Sequence, residues 1–148
     1  MNYETTKEIE LALALFFDKR KNIVVPNVSW GIFKYELDLC VLDSKSFYAK
    51  EIEIKISKSD LKADSKKKHC HDNNMIKYLY FAMPEKMKNC DEFVPENAGI
   101  LLVTEKGRVL VYRKPKVNKD AKKWEYKDAY KLARLGVMRF WNLRLGGK

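Results

Sequence analysis

One nine-residue segment constrains this chain more than any other, because it is a strand with two different faces. Residues 49–57 read AKEIEIKIS, so isoleucine alternates with charged side chains. Successive side chains of a strand point to opposite sides, so the three isoleucines share one face and Glu51, Glu53 and Lys55 share the other. Residues two apart stand roughly 7 Å apart along a strand. The isoleucine face therefore requires a core, and the other face crowds two carboxylates beside one amine.

A second alternating segment precedes this strand and adds carboxylates to its charged face. Residues 35–42 alternate in the same way, and turn-forming residues separate the two segments, which predicts a β-hairpin. If Leu42 faces Phe47 across the turn, Asp38 lies opposite Glu51. Glu36 then lies opposite Glu53, so four carboxylates share one face. A shift of one residue would move them apart, so this register is a testable prediction.

The charge of the whole chain indicates a polyanionic partner. The 148 residues include 30 Lys plus Arg against 20 Asp plus Glu, a formal net charge of +10. This excess is typical of proteins that bind nucleic acid, with an anionic membrane surface as the alternative. No apolar run approaches the roughly 18 residues that span a bilayer, no signal-peptide core is visible, and three widely spaced cysteines fit a reducing compartment. We expect a cytoplasmic protein with no membrane partner and a single domain over residues 1–148.

The remaining pattern predicts helices on a mixed sheet. A helix capped near Thr5 and ending near Lys19 precedes a short strand at 22–28, which Pro26 restricts to an edge or a bulge. A basic helix capped by Ser57 or Ser59 follows the charged strand. The later predicted elements are a strand at 77–83, a short helix at 85–91, a hairpin of 98–104 with 108–113, a helix at 126–135 and an aromatic tail at 138–144 that packs back on the body. The expected fold class is α/β (α+β), ordered α-β-β-β-α-β with a C-terminal hairpin and helix.

The charged face of the hairpin contains the residue types that metal-dependent phosphodiester cleavage requires. Carboxylate oxygens bind Mg²⁺ or Mn²⁺, and the metal polarises the phosphate and lowers the pKa of a bound water. We assign Asp38, Glu53 and the backbone carbonyl of Ile54 as metal ligands. Lys55 is the cationic partner that offsets developing charge. Glu51 is either a ligand to a second ion or a salt-bridging residue on the rim.

These residues resemble the motif of the PD-(D/E)xK nuclease superfamily. Asp38 stands for the first acid and Glu53-Ile54-Lys55 for the second motif, about fifteen residues later, with Leu37 in place of the proline. Within the superfamily the chain is most similar to small bacterial MmcB-like DNA repair proteins, through residues 36–38, 51–55 and 59–64. The likeness covers residues 5 to about 85. It implies a restriction-endonuclease-like fold, DNA as the substrate and catalysis by Asp38, Glu53 and Lys55.

The resemblance also implies contributions from the two neighbouring helices. Glu8 is assigned as the catalytic acid of the first helix, with Glu10 as its rival. The basic helix is assigned to nucleic-acid contacts through Lys62, Lys66, Lys67, Lys68 and His69. A homodimer is a further expectation, because many nucleases of this type pair to cut both strands.

A Mg²⁺-dependent deoxyribonuclease in DNA repair or processing is the leading expectation, and two other functions are compatible with the same residues. One is a catalytically inactive nuclease-fold module that binds DNA in a repair or defence complex. The other is a basic RNA-binding protein with exposed aromatic side chains on its sheet. A second basic cluster around Pro115 either contacts phosphates or keeps a loop soluble; its lysines are Lys114, Lys116, Lys119, Lys122 and Lys123.

Overall fold

A six-stranded mixed sheet organises the chain, which a computed structural model describes at residues 1–29, 33, 35–65 and 74–146. The strands are β1 (Ile23–Val28), β2 (Leu37–Leu42), β3 (Ala49–Ile54), β4 (Ile76–Pro84), β5 (Gly99–Val103) and β6 (Val109–Arg113). The helices are α1 (Thr6–Phe16), α2 (Lys58–Ser65) and α3 (Tyr126–Arg144), with a 3-10 helix at Glu85–Phe93. The predicted mixed α/β class and order of elements are confirmed.

The strands lie side by side in chain order, from β1 at one edge to β6 at the other. The first three are antiparallel, β3, β4 and β5 are parallel, and β6 is antiparallel to β5. Parallel neighbours require a crossover connection, and α2 lies in the one between β3 and β4. The charged strand β3 is therefore an interior strand with a partner on each side.

Both faces of β3 are covered, which explains why its charged side chains are not solvated. Helix α1 packs Ile9 and Leu13 against a cluster that includes Ile52, as the isoleucine pattern predicts. On the opposite face Leu61 of α2 packs with Phe81 of β4. Helix α3 covers β1 and β2 on a further cluster. The carboxylates of β3 thus lie inside the protein.

The predicted register of the β2–β3 hairpin is wrong by two residues. Leu42 pairs with Ala49 and Cys40 pairs with Glu51, so Asp38 does not lie opposite Glu51, nor Glu36 opposite Glu53. A shift of two residues keeps every side chain on its face. Continued by two residues, the observed register places Asp38 beside Glu53.

The loop between these strands causes the shift, because it is longer than a tight turn. Asp43 Oδ1 accepts hydrogen bonds from the backbone N–H groups of Lys45 and Ser46, at 2.9 and 2.8 Å. Phe47 then adopts a left-handed backbone conformation, with φ of 59°. This Asx-type turn holds two more residues out of the ladder than the prediction allowed.

Helix α3 also differs from its prediction, because it continues to Arg144 instead of ending at Leu135. Its buried residues end at Leu135, and beyond it the Nη2 of Arg139 donates a hydrogen bond of 2.8 Å to the carbonyl of Asn27. Phe140 and Trp141 are 51% and 54% exposed, so the expectation that these aromatics pack back is wrong. In the described part of the chain, no helix has the length and apolar character needed to cross a bilayer.

Candidate active site

The C-terminal end of β3 brings the predicted motif residues together below the surface. Glu51 and Glu53 are 1% and 4% exposed, and both lie on the face that α2 covers. The N–H of Lys55 donates to the carbonyl of Ala82 at 2.9 Å, so the chain stays beside β4 one residue beyond the strand. The backbone of Lys55 is therefore fixed at a defined position close to Glu53.

Asp38 reaches the same place from β2. Its Oδ2 accepts a hydrogen bond of 2.8 Å from the N–H of Ile54, the residue after Glu53. The bond fixes a half-buried carboxylate beside the end of β3. Asp38 and Glu53 are thus neighbours, as the motif predicts, although the strand register differs from the predicted one.

Glu53 is a strongly perturbed acid. Its pKa is raised to about 10, mainly by burial and also by the charge of Asp38 and by a hydrogen bond with, and the charge of, Glu51. Lys55 acts in the opposite direction and does not compensate. Oε1 of Glu53 is buried with no hydrogen-bond partner among the described residues. The hydrogen-bond donors of the described residues therefore do not satisfy every carboxylate oxygen of the site.

Lys55 is held by an acid that sequence reasoning did not assign to the site. Its Nζ lies 2.8 Å from Oδ1 of Asp64 and 3.9 Å from Oε2 of Glu53. Asp64 is 2% exposed and belongs to the last turn of α2. It follows the core residue Leu61 by three positions and so shares its helix face. The three-residue spacing from Leu61, the apolar residue that packs α2 against the protein, is the sequence signal that could have identified Asp64.

Glu51 lies inside the site and not on its rim. The Oη of Tyr35 donates a hydrogen bond of 3.0 Å to its Oε1. Its cross-strand neighbour is Cys40, a buried thiol whose pKa is raised by burial and then by the charge of Glu51. Tyr35 is a second residue that the sequence analysis did not assign, and no local pattern singles it out.

Helix α1 places Glu10, not the assigned Glu8, towards the acids. Glu8 completes a capping box: Oε1 accepts hydrogen bonds from the Oγ1 and N–H of Thr5, at 2.8 and 3.2 Å. The side-chain hydrogen bond from Thr5 is the main reason that the pKa of Glu8 is lowered. The pKa of Glu10 is raised, mainly by burial. The charge of Lys7 lowers this pKa, and the charge of Asp38 raises it. The residue near Asp38 is therefore the rival, Glu10.

The assigned nucleic-acid contacts fall mostly outside the described residues. Lys62 is exposed on α2, with its Nζ 5.1 Å from the centre of the Phe93 ring. The other four are Lys66, Lys67, Lys68 and His69, which all lie in the segment 66–73 that the structure does not describe. Ser57 is confirmed as the cap before them, since its Oγ accepts from the N–H of Asp60 at 3.1 Å.

The donor set fits a hydrated hard cation. Among the described residues, no group of three or more His, Cys, Asp or Glu side chains is arranged to hold a metal ion. Mg²⁺ commonly keeps several waters and takes only one or two carboxylates from the protein. Asp38 and Glu53 supply two, and the unsatisfied Oε1 of Glu53 is a buried oxygen that a cation would satisfy. The residues present are therefore compatible with the ligand set that the motif predicts.

In comparisons with known proteins, no family model, no curated protein and no solved structure matches this chain. The likeness to PD-(D/E)xK nucleases consists of the motif residues themselves. We therefore infer the function from the geometry and charge of those side chains.

Proposed function

We propose that this protein is a metal-dependent nuclease that hydrolyses phosphodiester bonds of DNA. The observation that carries the proposal is the unsatisfied, buried Oε1 of Glu53 in a cluster of like charges. Isolated charge inside a protein is costly unless it is protonated, paired or bound to a metal. Lys55 is already bonded to Asp64 and lies 3.9 Å from Glu53. A divalent cation would supply the charge that this site lacks.

Mg²⁺ or Mn²⁺ would be held by Asp38, Glu53 and the backbone carbonyl of Ile54. Glu51 lies two residues before Glu53, on the same face of β3. A bound ion of this kind polarises a phosphate oxygen and lowers the pKa of a coordinated water. The chain's own contribution is to hold these oxygens in place. The 2.8 Å bond from the N–H of Ile54 to Asp38 joins the two ligand-bearing strands and keeps their carboxylates together.

Lys55 supplies the fixed positive charge of the site. Its ammonium lies beside Glu53, where it would offset the negative charge that develops on a phosphate during hydrolysis. Asp64 is a positioning residue that orients this ammonium through its 2.8 Å ion pair. Tyr35 positions Glu51 in the same way, through its hydroxyl.

A polyanionic substrate agrees with the composition, and the choice of DNA comes from the motif. A net charge of +10 favours binding to a phosphate backbone without sequence preference. The superfamily that the motif resembles acts on DNA, and the motif residues are also similar to those of its small bacterial DNA repair proteins. We therefore propose a role in DNA repair or processing.

Incubation with supercoiled plasmid tests the proposal directly. We expect cleavage with MgCl₂ or MnCl₂, none in EDTA, and a loss of at least about 100-fold in Asp38→Asn. Asp60→Asn is the matched control, because Asp60 is exposed on α2 and outside the acidic cluster. Calorimetry should show Mn²⁺ binding to the wild type and not to Asp38→Asn.

Two results would count against a nuclease. Cleavage that continues in EDTA, or that survives Asp38→Asn, would show that these carboxylates do not hold a catalytic metal. DNA binding with neither Mn²⁺ binding nor cleavage would favour the inactive DNA-binding module.

A further inference from the structure

A basic loop lies at the opposite end of β3 from the acidic site. We call residues 114–125 the basic strap. It contains two acids, Asp120 and Glu125, and five exposed lysines: Lys114, Lys116, Lys119, Lys122 and Lys123. The strap connects β6 to α3 and belongs to neither. Nothing in the proposed chemistry uses it.

The strap is fixed to the sheet although it has no regular secondary structure. Its backbone N–H groups donate to carbonyls of the neighbouring segments, and two side chains add further bonds. The backbone bonds run from Lys116 to Asn97, Asn118 to Lys77, Lys122 to Asn74 and Trp124 to Phe47, at 3.0, 2.9, 2.8 and 2.7 Å. Asn118 Nδ2 and Trp124 Nε1 donate to the carbonyls of Ile76 and Met75 at 3.0 and 2.8 Å. A loop that served solubility alone would not need this anchoring, so its lysines stand at defined positions.

Two ammonium groups converge at the strap on one tyrosine ring. Lys77 Nζ lies 3.8 Å from the ring centre of Tyr48, and Lys123 Nζ lies 6.0 Å from it. Neither lysine forms an ion pair with a partner in the described part of the chain. The ring offsets part of the repulsion between them, and a bound anion would offset more.

Exposed aromatic surface lies next to these charges. Tyr126, directly after the strap, is 82% exposed, and its ring meets Phe47 edge-on at 5.2 Å between centres. Tyr48 and Tyr78 are half-buried beside Lys77. Lysines with tyrosine rings beside them are a combination that binds single-stranded nucleic acid, because phosphates meet the charges and bases stack on the rings.

We propose that the basic strap, together with Lys77, is a second binding site for the phosphate backbone of a nucleic-acid strand. From Tyr48 to Glu53 the extended chain covers about 17 Å, at about 3.3 Å per residue. Phosphates of one B-form strand are spaced about 3.4 Å apart along the axis, so a single strand reaches both sites within about five nucleotides. The inference shares with the proposed function only the nature of the ligand. It requires neither a metal nor cleavage.

Charge removal on the strap tests this site apart from catalysis. The test variant is Lys119→Gln/Lys122→Gln/Lys123→Gln. The matched control removes three exposed charges from α3, as Lys131→Gln/Arg134→Gln/Arg144→Gln. Binding of a fluorescein-labelled 20-nucleotide single-stranded DNA is measured by anisotropy in EDTA, between 50 and about 300 mM NaCl, on variants that melt like the wild type.

We expect the strap variant to bind at least about 10-fold more weakly at about 50 mM NaCl. The slope of log K against log salt should fall by about 2, because each lost phosphate contact on a single strand accounts for about 0.7. The α3 control should bind like the wild type. Asp38→Asn should bind normally in EDTA even though it does not cleave, which separates a failure of the strap from a failure of the nuclease proposal.

Three outcomes would overturn the proposal. The first is wild-type affinity in the strap variant. The second is an equal loss in the α3 control, which would show that only net charge matters. The third is strap-dependent binding to vesicles of phosphatidylserine and phosphatidylcholine with no effect on DNA, which would make the strap a membrane-binding surface.

Discussion

Replacing Glu53 by glutamine should stabilise the metal-free protein even though it abolishes the proposed activity. Glu53 is 4% exposed, and burial, Asp38 and Glu51 together raise its pKa to about 10. Glutamine has nearly the same shape and is neutral in both the folded and the unfolded chain. The substitution therefore removes the free-energy difference that comes from placing an ionisable group in this site.

Proton linkage gives the sign and size of the effect. The carboxyl of the unfolded chain ionises near its usual pKa of 4.5, whereas the folded protein keeps the proton up to about 10. Between these values the folded state binds one more proton, so the free energy of unfolding falls by about 1.4 kcal/mol per pH unit. This contribution is fully present below pH 4.5 and lost as pH rises towards 10. The unfolding free energy of Glu53→Gln, taken relative to that of the wild type, should therefore be about 4 kcal/mol higher at about pH 7.5 than at acidic pH.

Urea unfolding in EDTA, at four pH values from about 5.5 to about 8.5, measures this directly. The difference in unfolding free energy between variant and wild type should widen steadily with pH. Glu92→Gln, at an exposed position of the 3-10 helix, is the control and should show no such trend. Added MnCl₂ should narrow the difference, because a cation replaces the proton on wild-type Glu53. A difference that stays constant with pH, or a variant less stable throughout, would refute the reasoning.

The other acids should separate into catalytic, positioning and structural roles. Asp38→Asn should abolish plasmid cleavage with little change in melting temperature, because the amide oxygen still accepts the backbone hydrogen bond. Asp64→Asn removes the closer anionic partner of the half-buried Lys55, so it should lower stability by about 2 to 3 kcal/mol in urea unfolding and reduce cleavage, whereas Asp60→Asn should change neither. Glu10→Gln should reduce cleavage. Glu8→Ala should instead lower the melting temperature through the loss of the capping box, with cleavage unchanged.

The parts of this fold that sequence predicts are those set by neighbours along the chain. The capping box of Thr5 and Glu8 is a four-residue pattern, and the structure shows both of its hydrogen bonds. Pro26 cannot donate to a ladder, and β1 is indeed an edge strand. Alternation in β3 defines which side chains share a face, and that property does not depend on the register of the hairpin. Such local signals fixed the element order and the motif positions.

The parts that sequence missed depend on contacts made in three dimensions. Asp43 holds its turn open through side-chain hydrogen bonds, and this moved the register by two residues without changing the faces. Asp64 belongs to the site only because α2 docks through Leu61, and Tyr35 only because its hydroxyl donates a hydrogen bond to Glu51. The choice between Glu8 and Glu10 required the orientation of α1 on the sheet. Each of these is a tertiary contact that no spacing along the chain encodes.

The charged pattern of β3 indicates a functional site because β3 is buried. A Glu-x-Glu pattern on an edge strand would face water and need no explanation. Here β3 lies between β2 and β4, and the face that carries Glu51 and Glu53 is covered by α2, so the fold holds both acids at the expense of stability. Natural sequences violate their own folding rules mainly at functional sites. Urea unfolding of Glu53→Gln tests whether burial of this acid lowers stability, and Mn²⁺ calorimetry tests whether the acid binds a metal. A variant that is more stable than the wild type and no longer binds Mn²⁺ would support both conclusions.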